Sequence, residues 1–192
     1  MTPLVSTVTY LLSLGTVIGG IVTVALFIFL VAHKRGAAHP ISNRSIIFFG
    51  HYAVLFSFLI AAFSMLGSLF YSEVAGFAPC VLCWWQRVFL YPQAFILLYA
   101  MIKKRDDVAP YSILLSIVGG AIALYHTYIQ FGGSPFILCS ASGISVSCVQ
   151  RYFLEFGYVT LPTMSLTGFA MILVFMWADR VWRKEGGRGP VV

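Results

Sequence analysis

Two cysteines three residues apart lie in the run Pro79-Cys80-Val81-Leu82-Cys83-Trp84-Trp85-Gln86-Arg87, where a short polar turn gives way to a long apolar stretch. Residues i and i+3 at a helix start are neighbours on one face, and their Cα separation falls in the range a disulfide spans. A first turn also presents the positive end of the helix dipole, which favours a thiolate, the reactive form of cysteine. Cys83, nearest the helix proper, feels this most. Arg87 follows one turn later on the same face. A guanidinium there adds positive potential and N–H donors for the oxygen of a bound electron acceptor. The ordinary alternative is a cation that snorkels from a helix end to lipid headgroups.

A second pair, Cys139 and Cys148, stands in a stretch rich in Gly, Ser and Pro. Four cysteines can make two structural bridges, a zinc site or a redox relay. Structural zinc favours two short C-x-x-C hooks, and the second pair is spaced far wider than that. Haem attachment requires histidine after Cys83, where Trp84 stands. A relay fits better: one pair on a helix at a membrane boundary, the other on a loop able to swing, since exchange requires sulfur to reach sulfur. Two static bridges remain the competing reading. The chain has no Gly-rich nucleotide loop and no haem motif, so a lipid-soluble quinone is the acceptor a bare helical bundle can serve. His126 sits at the depth of such a pocket, although a histidine there is more often a hydrogen-bonded packing residue. Trp84, Trp85, Tyr125 and Tyr128 read first as an interfacial aromatic belt.

The elements that position these residues are membrane spans. Soluble domains carry roughly 25% charged residues; this chain of 192 residues has 9% charged and 60% hydrophobic. A spanning helix takes roughly 20 mostly apolar residues. Five stretches qualify, over 4–32, 45–71, 84–102, 110–130 and 161–177, with 131–160 too broken for a span and read as an exposed loop. The first is too long for a signal peptide and carries its positive charge after the apolar run, so it reads as a retained span. Its Gly15 and Gly19 have the GxxxG spacing of a close helix contact, or are ordinary membrane-helix glycines.

Ten of the twelve Lys and Arg fall in three clusters around Lys34, Lys104 and Arg183, all on one side of the bilayer if there are five crossings. By the positive-inside rule that side is cytoplasmic, which also accounts for the net charge of +6 without nucleic acid. All four cysteines then share the opposite, extracytoplasmic face, where disulfides persist.

Pro79-Cys80-Val81-Leu82-Cys83 with Gln86-Arg87 resembles the signature of the DsbB (disulfide bond formation protein B) family. His126-Thr127, Gln130, Ser134-Pro135-Phe136, Cys139, Ser147-Cys148 and Pro162 extend the likeness over about 45–177. The resemblance implies a bacterial inner-membrane four-helix bundle that reoxidises a DsbA-like thioredoxin-fold thiol oxidase and passes electrons to ubiquinone or menaquinone. By position, Cys139 would form the mixed disulfide with the partner, Cys148 would be its mate, Cys80 would exchange with that pair and Cys83 would face the quinone. Arg87 would be the quinone-side cation and His126 a second quinone-pocket residue. The short interval between Cys139 and Cys148 is similar to that of BdbC-type relatives. The expected architecture is therefore all-α: a redox bundle over 45–192 and an extra N-terminal transmembrane helix with a basic link over 1–44. Two other readings stay open: a quinone reductase similar to the vitamin K epoxide reductase family, and a structural membrane subunit with static bridges.

Overall fold

The computed structural model describes residues 2–36, 40–105, 107–134, 147–184 and 186. Cys139 and Arg188 lie outside the described residues, as does the middle of the 131–160 loop. Within them the chain is an all-α bundle: α1 Pro3–Lys34, α2 Pro40–His51, α3 Ala53–Leu69, α4 Val81–Lys103, α5 Ala109–Gln130 and α6 Leu161–Lys184. A π-helical turn, Phe70–Val74, continues α3. Five helices are long and apolar enough to cross a membrane, α3 doing so together with its π-helical turn.

Helix ends follow local chemistry. The Thr2 hydroxyl caps α1 by accepting from the Val5 amide at 3.4 Å, with Pro3 at the first helical position. Proline likewise opens α5. Lys104 closes α4 in the left-handed region (φ 51°), and Arg105 N–H returns to the Ala100 carbonyl at 2.9 Å. The end of α3 loosens where Ala75 N–H donates to the Phe70 carbonyl five residues back. That slack lets the chain turn through Gly76 to Pro79 and start α4.

Two spans differ in extent from the sequence expectation. Helix begins at Pro40 rather than at 45 and continues beyond 71, with a local distortion at Tyr52 (φ −97°, ψ 13°) dividing α2 from α3. The last span runs to Lys184 rather than stopping at 177. Asp179, almost fully buried, accepts from Arg183 Nε at 2.8 Å one turn on, so an acidic residue near the membrane edge is neutralised inside the helix.

Helix α6 is central and touches every other helix. Its Phe169, Ile172 and Met176 are fully enclosed, whereas α1 turns Leu11, Ile18, Ile21 and Phe27 outward, as a lipid-facing helix must. Lipid supplies no hydrophobic drive between helices, so close approach depends on small residues. At Gly19 an added Cβ would lie 2.7 Å from Met171 Sδ, which makes this glycine the close crossing of α1 on α6. Gly15, its partner in the spacing motif, meets nothing within 4 Å.

Candidate functional site

The cysteine site is assembled at one end of the bundle by three segments: the start of α4, the end of α5 and the chain after residue 147. Cys80 is the N-cap of α4, with extended backbone (φ −77°, ψ 173°), and Cys83 lies in the first turn. Neither is in a disulfide, and Cys80 Sγ donates to Cys83 Sγ at 3.4 Å. That hydrogen bond, together with burial, pushes the Cys80 thiol up to about 12, with His126 pulling in the opposite direction. Cys80 therefore holds its proton and directs it at the Cys83 sulfur.

His126 is 2% exposed and comes from the last turn of α5. Its Nε2 lies 3.7 Å from Cys80 Sγ and 3.2 Å from the Cys148 carbonyl oxygen, while Nδ1 lies 3.0 Å from Gln86 Nε2. With the Gln86 amide N–H donating to Nδ1, Nε2 carries the hydrogen and donates it to the Cys148 carbonyl. With that amide turned over, Nδ1 carries the hydrogen and Nε2 faces Cys80 as an acceptor. The bundle thus brings Cys80, Cys83 and Cys148 to the same end, with one imidazole bridging the two cysteine-bearing segments. Gln130 reinforces the bridge by donating to the Gln150 carbonyl at 3.1 Å.

An aromatic pile holds the later segment down. Tyr152 stacks on Phe77 (4.3 Å between centroids, 6° between planes), Phe77 on Tyr71 (5.7 Å, 9°), and Tyr71 on Phe153 (5.5 Å, 29°). Tyr152 O–H also donates to the Ala78 carbonyl at 2.8 Å. The backbone beyond folds on itself where Glu155 and Val159 form a single antiparallel bridge around Gly157. Sequence reasoning named Gln86 only as part of the motif and gave it no role, and it passed over Ser68, Tyr152 and Phe77. The polar residue in an apolar helix was the signal for Gln86; nothing local marks the other three.

Arg87 turns from the cysteines toward α3. Its Nε donates to Ser68 Oγ and an Nη to the Ser68 carbonyl, both at 3.0 Å, and the guanidinium lies 5.1 Å from the centre of the Trp84 ring. It faces a cavity of about 570 Å³, which Cys83, Gln86 and Ser68 also line. Trp84, Trp85, Tyr125 and Tyr128 are not on its wall. Nor is His126, for which the resemblance implied an acceptor-pocket role. Its ring points into a much smaller chamber of about 20 Å³ with Cys80, Cys83, Gln130 and Cys148, because Gln86 and the Cys148 carbonyl fix it there. The ligand atoms of Cys80, Cys83 and His126 lie within 4.8 Å of one another, a grouping that also suits a soft metal ion. Sequence spacing concealed it because His126 arrives from another helix.

The model of the DsbB family, disulfide bond formation protein DsbB, matches residues 50–178. The chain is 42% identical over 118 residues, covering 62% of it and 78% of the relative, to an SPbeta prophage-derived disulfide bond formation protein B of Bacillus subtilis. It is 40% identical over 123 residues (64% of this chain, 88% of the relative) to a probable disulfide formation protein C 1 of Bacillus anthracis. To a probable disulfide formation protein of Metapseudomonas resinovorans it is 38% identical over 125 residues (64% and 85%). No solved structure matches. Helix α1 lies entirely outside the residues the family model matches.

Proposed function

The chain belongs to the DsbB family of membrane disulfide bond formation proteins, and from that premise we propose that it is a protein-dithiol:quinone oxidoreductase that reoxidises a DsbA-like thiol oxidase. The observation that carries this reading is the position of Cys83, on the wall of both the small polar chamber and the large apolar cavity. Electrons entering by one chamber can leave by the other through a single sulfur pair.

The chain's residues fit a quinone. Polar donors gather at one end of the cavity, where Arg87 stands beside Cys83, and the remainder of the wall is mostly apolar, with Thr16, Ser64, Ser165 and Thr167 among its residues. When bound, the quinone accepts two electrons and two protons. In the proposed sequence the partner's dithiol reduces a Cys139–Cys148 disulfide, and that pair reduces a Cys80–Cys83 disulfide. Each exchange breaks one S–S bond, forms another and moves two electrons. Closing Cys80–Cys83 again releases two electrons and two protons toward the acceptor. Cys83 is the sulfur at the cavity, and Cys80 keeps its proton until its own bond forms. With the Gln86 amide turned so that its oxygen accepts from Nδ1–H, His126 Nε2 is the unprotonated nitrogen and is placed to take that proton. Arg87, anchored by Ser68, offers a fixed cation where negative charge arrives on the acceptor oxygen.

We place the cysteine end outside the cytoplasmic membrane. Lys34, Lys103 and Lys184 end α1, α4 and α6 at the opposite end, as positive-inside topology requires. The decisive assay is quinone reduction by the purified protein with a reduced thioredoxin-fold donor, followed by quinone absorbance. Cys83→Ser should abolish it while the Cys139/Cys148 pair still exchanges with donor. Undiminished quinone reduction by that variant overturns the reading.

A further inference from the structure

Helix α1 has no counterpart in the family match, yet it forms one wall of the acceptor cavity. At the cysteine end it is tied to α3: Tyr71 O–H donates to Thr9 Oγ1 at 3.3 Å, and Leu12 comes within 3.5 Å of a Cβ placed on Gly67. Further down, Gly19 is pressed against Met171 of α6. Between these two points Ser13 is fully buried, while Gly15 and Thr16 border the cavity. An added Cβ at Gly15 meets nothing within 4 Å.

The cavity's shape describes its occupant. Along α6 its wall runs from Pro162 to Phe175, roughly 20 Å at the rise of an α-helix, which is several times the width of an aromatic ring. Hydrogen-bonding groups concentrate at the Cys83–Arg87 end, and Phe56, Ile60, Met171 and Phe175 line the deep part. A redox headgroup alone fills the top; the rest fits a flexible hydrocarbon chain.

We propose that α1 completes a channel for the hydrocarbon tail of a long-chain quinone, and that Gly15 keeps that channel open by lacking a side chain. This rests on the quinone reading of the same cavity and adds the binding determinant which the family core does not contain. Hydrocarbon can also come from a phospholipid acyl chain, and the test separates the two.

The experiment compares Gly15→Phe with Gly20→Phe. Gly20 also meets nothing within 4 Å but does not border the cavity. Binding of a polyprenyl quinone and of the same headgroup without a tail is measured by quenching of intrinsic tryptophan fluorescence in detergent. Gly15→Phe should weaken the tailed quinone by ~10-fold or more and the tail-less one by less than about twofold, with Gly20→Phe matching wild type on both. Purified Gly15→Phe should also retain less endogenous quinone on organic extraction. Equal weakening of both ligands, no weakening of the tailed one, or an extracted phospholipid that added quinone does not displace would each overturn the proposal. Should Gly15→Phe melt below Gly20→Phe, the smaller Gly15→Val decides, with a loss confined to the tailed ligand expected and no loss overturning the idea. Failure of the quinone reading registers separately: wild type would then reduce neither ligand with a reduced donor.

Discussion

The start of α4 separates two chambers of opposite character. On one side Cys80, His126, Gln130 and the Cys148 carbonyl line a chamber of about 20 Å³, where the His126 ring nitrogens and the Gln130 amide N–H have hydrogen-bond partners and Gln130 Oε1 has none. On the other, Cys83 and Arg87 head a cavity of about 570 Å³ that is apolar over most of its depth. A small, hydrogen-bonded chamber suits proton handling, because its donors and acceptors are fixed before the reaction. A wide hydrophobic one suits a ligand that diffuses in from lipid. One helical turn divides these tasks by pointing i and i+3 only slightly apart.

On this division, damage on one side should leave the other half-reaction standing. Arg87→Ala removes the cavity's cation and leaves the Ser68 hydroxyl and carbonyl without it. Acceptor reduction should fall by about 10²–10³-fold, the usual cost of losing an electrostatic stabiliser of developing charge, while thiol exchange with the partner is unchanged. Arg87→Lys keeps the charge but not the fork on Ser68 and should fall between. His126→Ala should act the other way round, slowing exchange between the two cysteine pairs by about 10²-fold and leaving the KM for quinone alone. Stopped-flow measurement of each half-reaction checks both variants. Equal losses in both half-reactions for either variant would merge the two chambers into one site.

A finer probe is the Cys80 proton. Because the folded protein holds it up to about 12 against an ordinary value of 9.0, Cys80 remains a neutral thiol through neutral and mildly alkaline pH. The stabilisation this gives the reduced protein is complete below pH 9 and should be lost as pH rises from there toward about 12. Iodoacetamide should label Cys80 slowly at pH 9. Cys83→Ala deletes the largest cause of the shift, so the labelling profile of Cys80, read by mass spectrometry, should move to lower pH. An unmoved profile would mean that burial alone protects Cys80 and that the two sulfurs do not communicate.

Much of this was legible in the chain. Five apolar runs, the charge clusters at Lys34, Lys104 and Arg183, and the spacing of Cys80 and Cys83 each act over short sequence distances, which is where pattern has force. The extension of α6 past Trp177 escaped notice because a basic tail looks like solvent-facing chain until Asp179 is seen to pair with Arg183. His126 stands out in the sequence as a histidine near a span end, yet the chamber it faces is not predictable from there. Which way a buried imidazole faces depends on Gln86 from another helix and on a loop carbonyl, neither encoded near position 126. The wall supplied by α1 was hidden for the same reason. The Gly15 and Gly19 spacing gives no hint that one glycine makes a crossing and the other a gap.

The smallest expected effect concerns what keeps the polar chamber closed. Tyr152 holds the Cys148 segment to the turn before Cys80 in two ways, by stacking on Phe77 and by its hydrogen bond to the Ala78 carbonyl. Tyr152→Phe keeps the ring and removes only the hydroxyl, so it should cost ~1 kcal/mol of local stability, the net worth of one hydrogen bond. Amide hydrogen exchange around 147–153 should rise modestly, with turnover close to wild type. Tyr152→Ala also removes the stack and should open the segment further, lowering thiol-exchange rates while acceptor binding holds. If Tyr152→Ala instead weakened acceptor binding as much as thiol exchange, the aromatic pile would be a wall of the large cavity first and a clamp on Cys148 second, for Tyr152 borders both chambers.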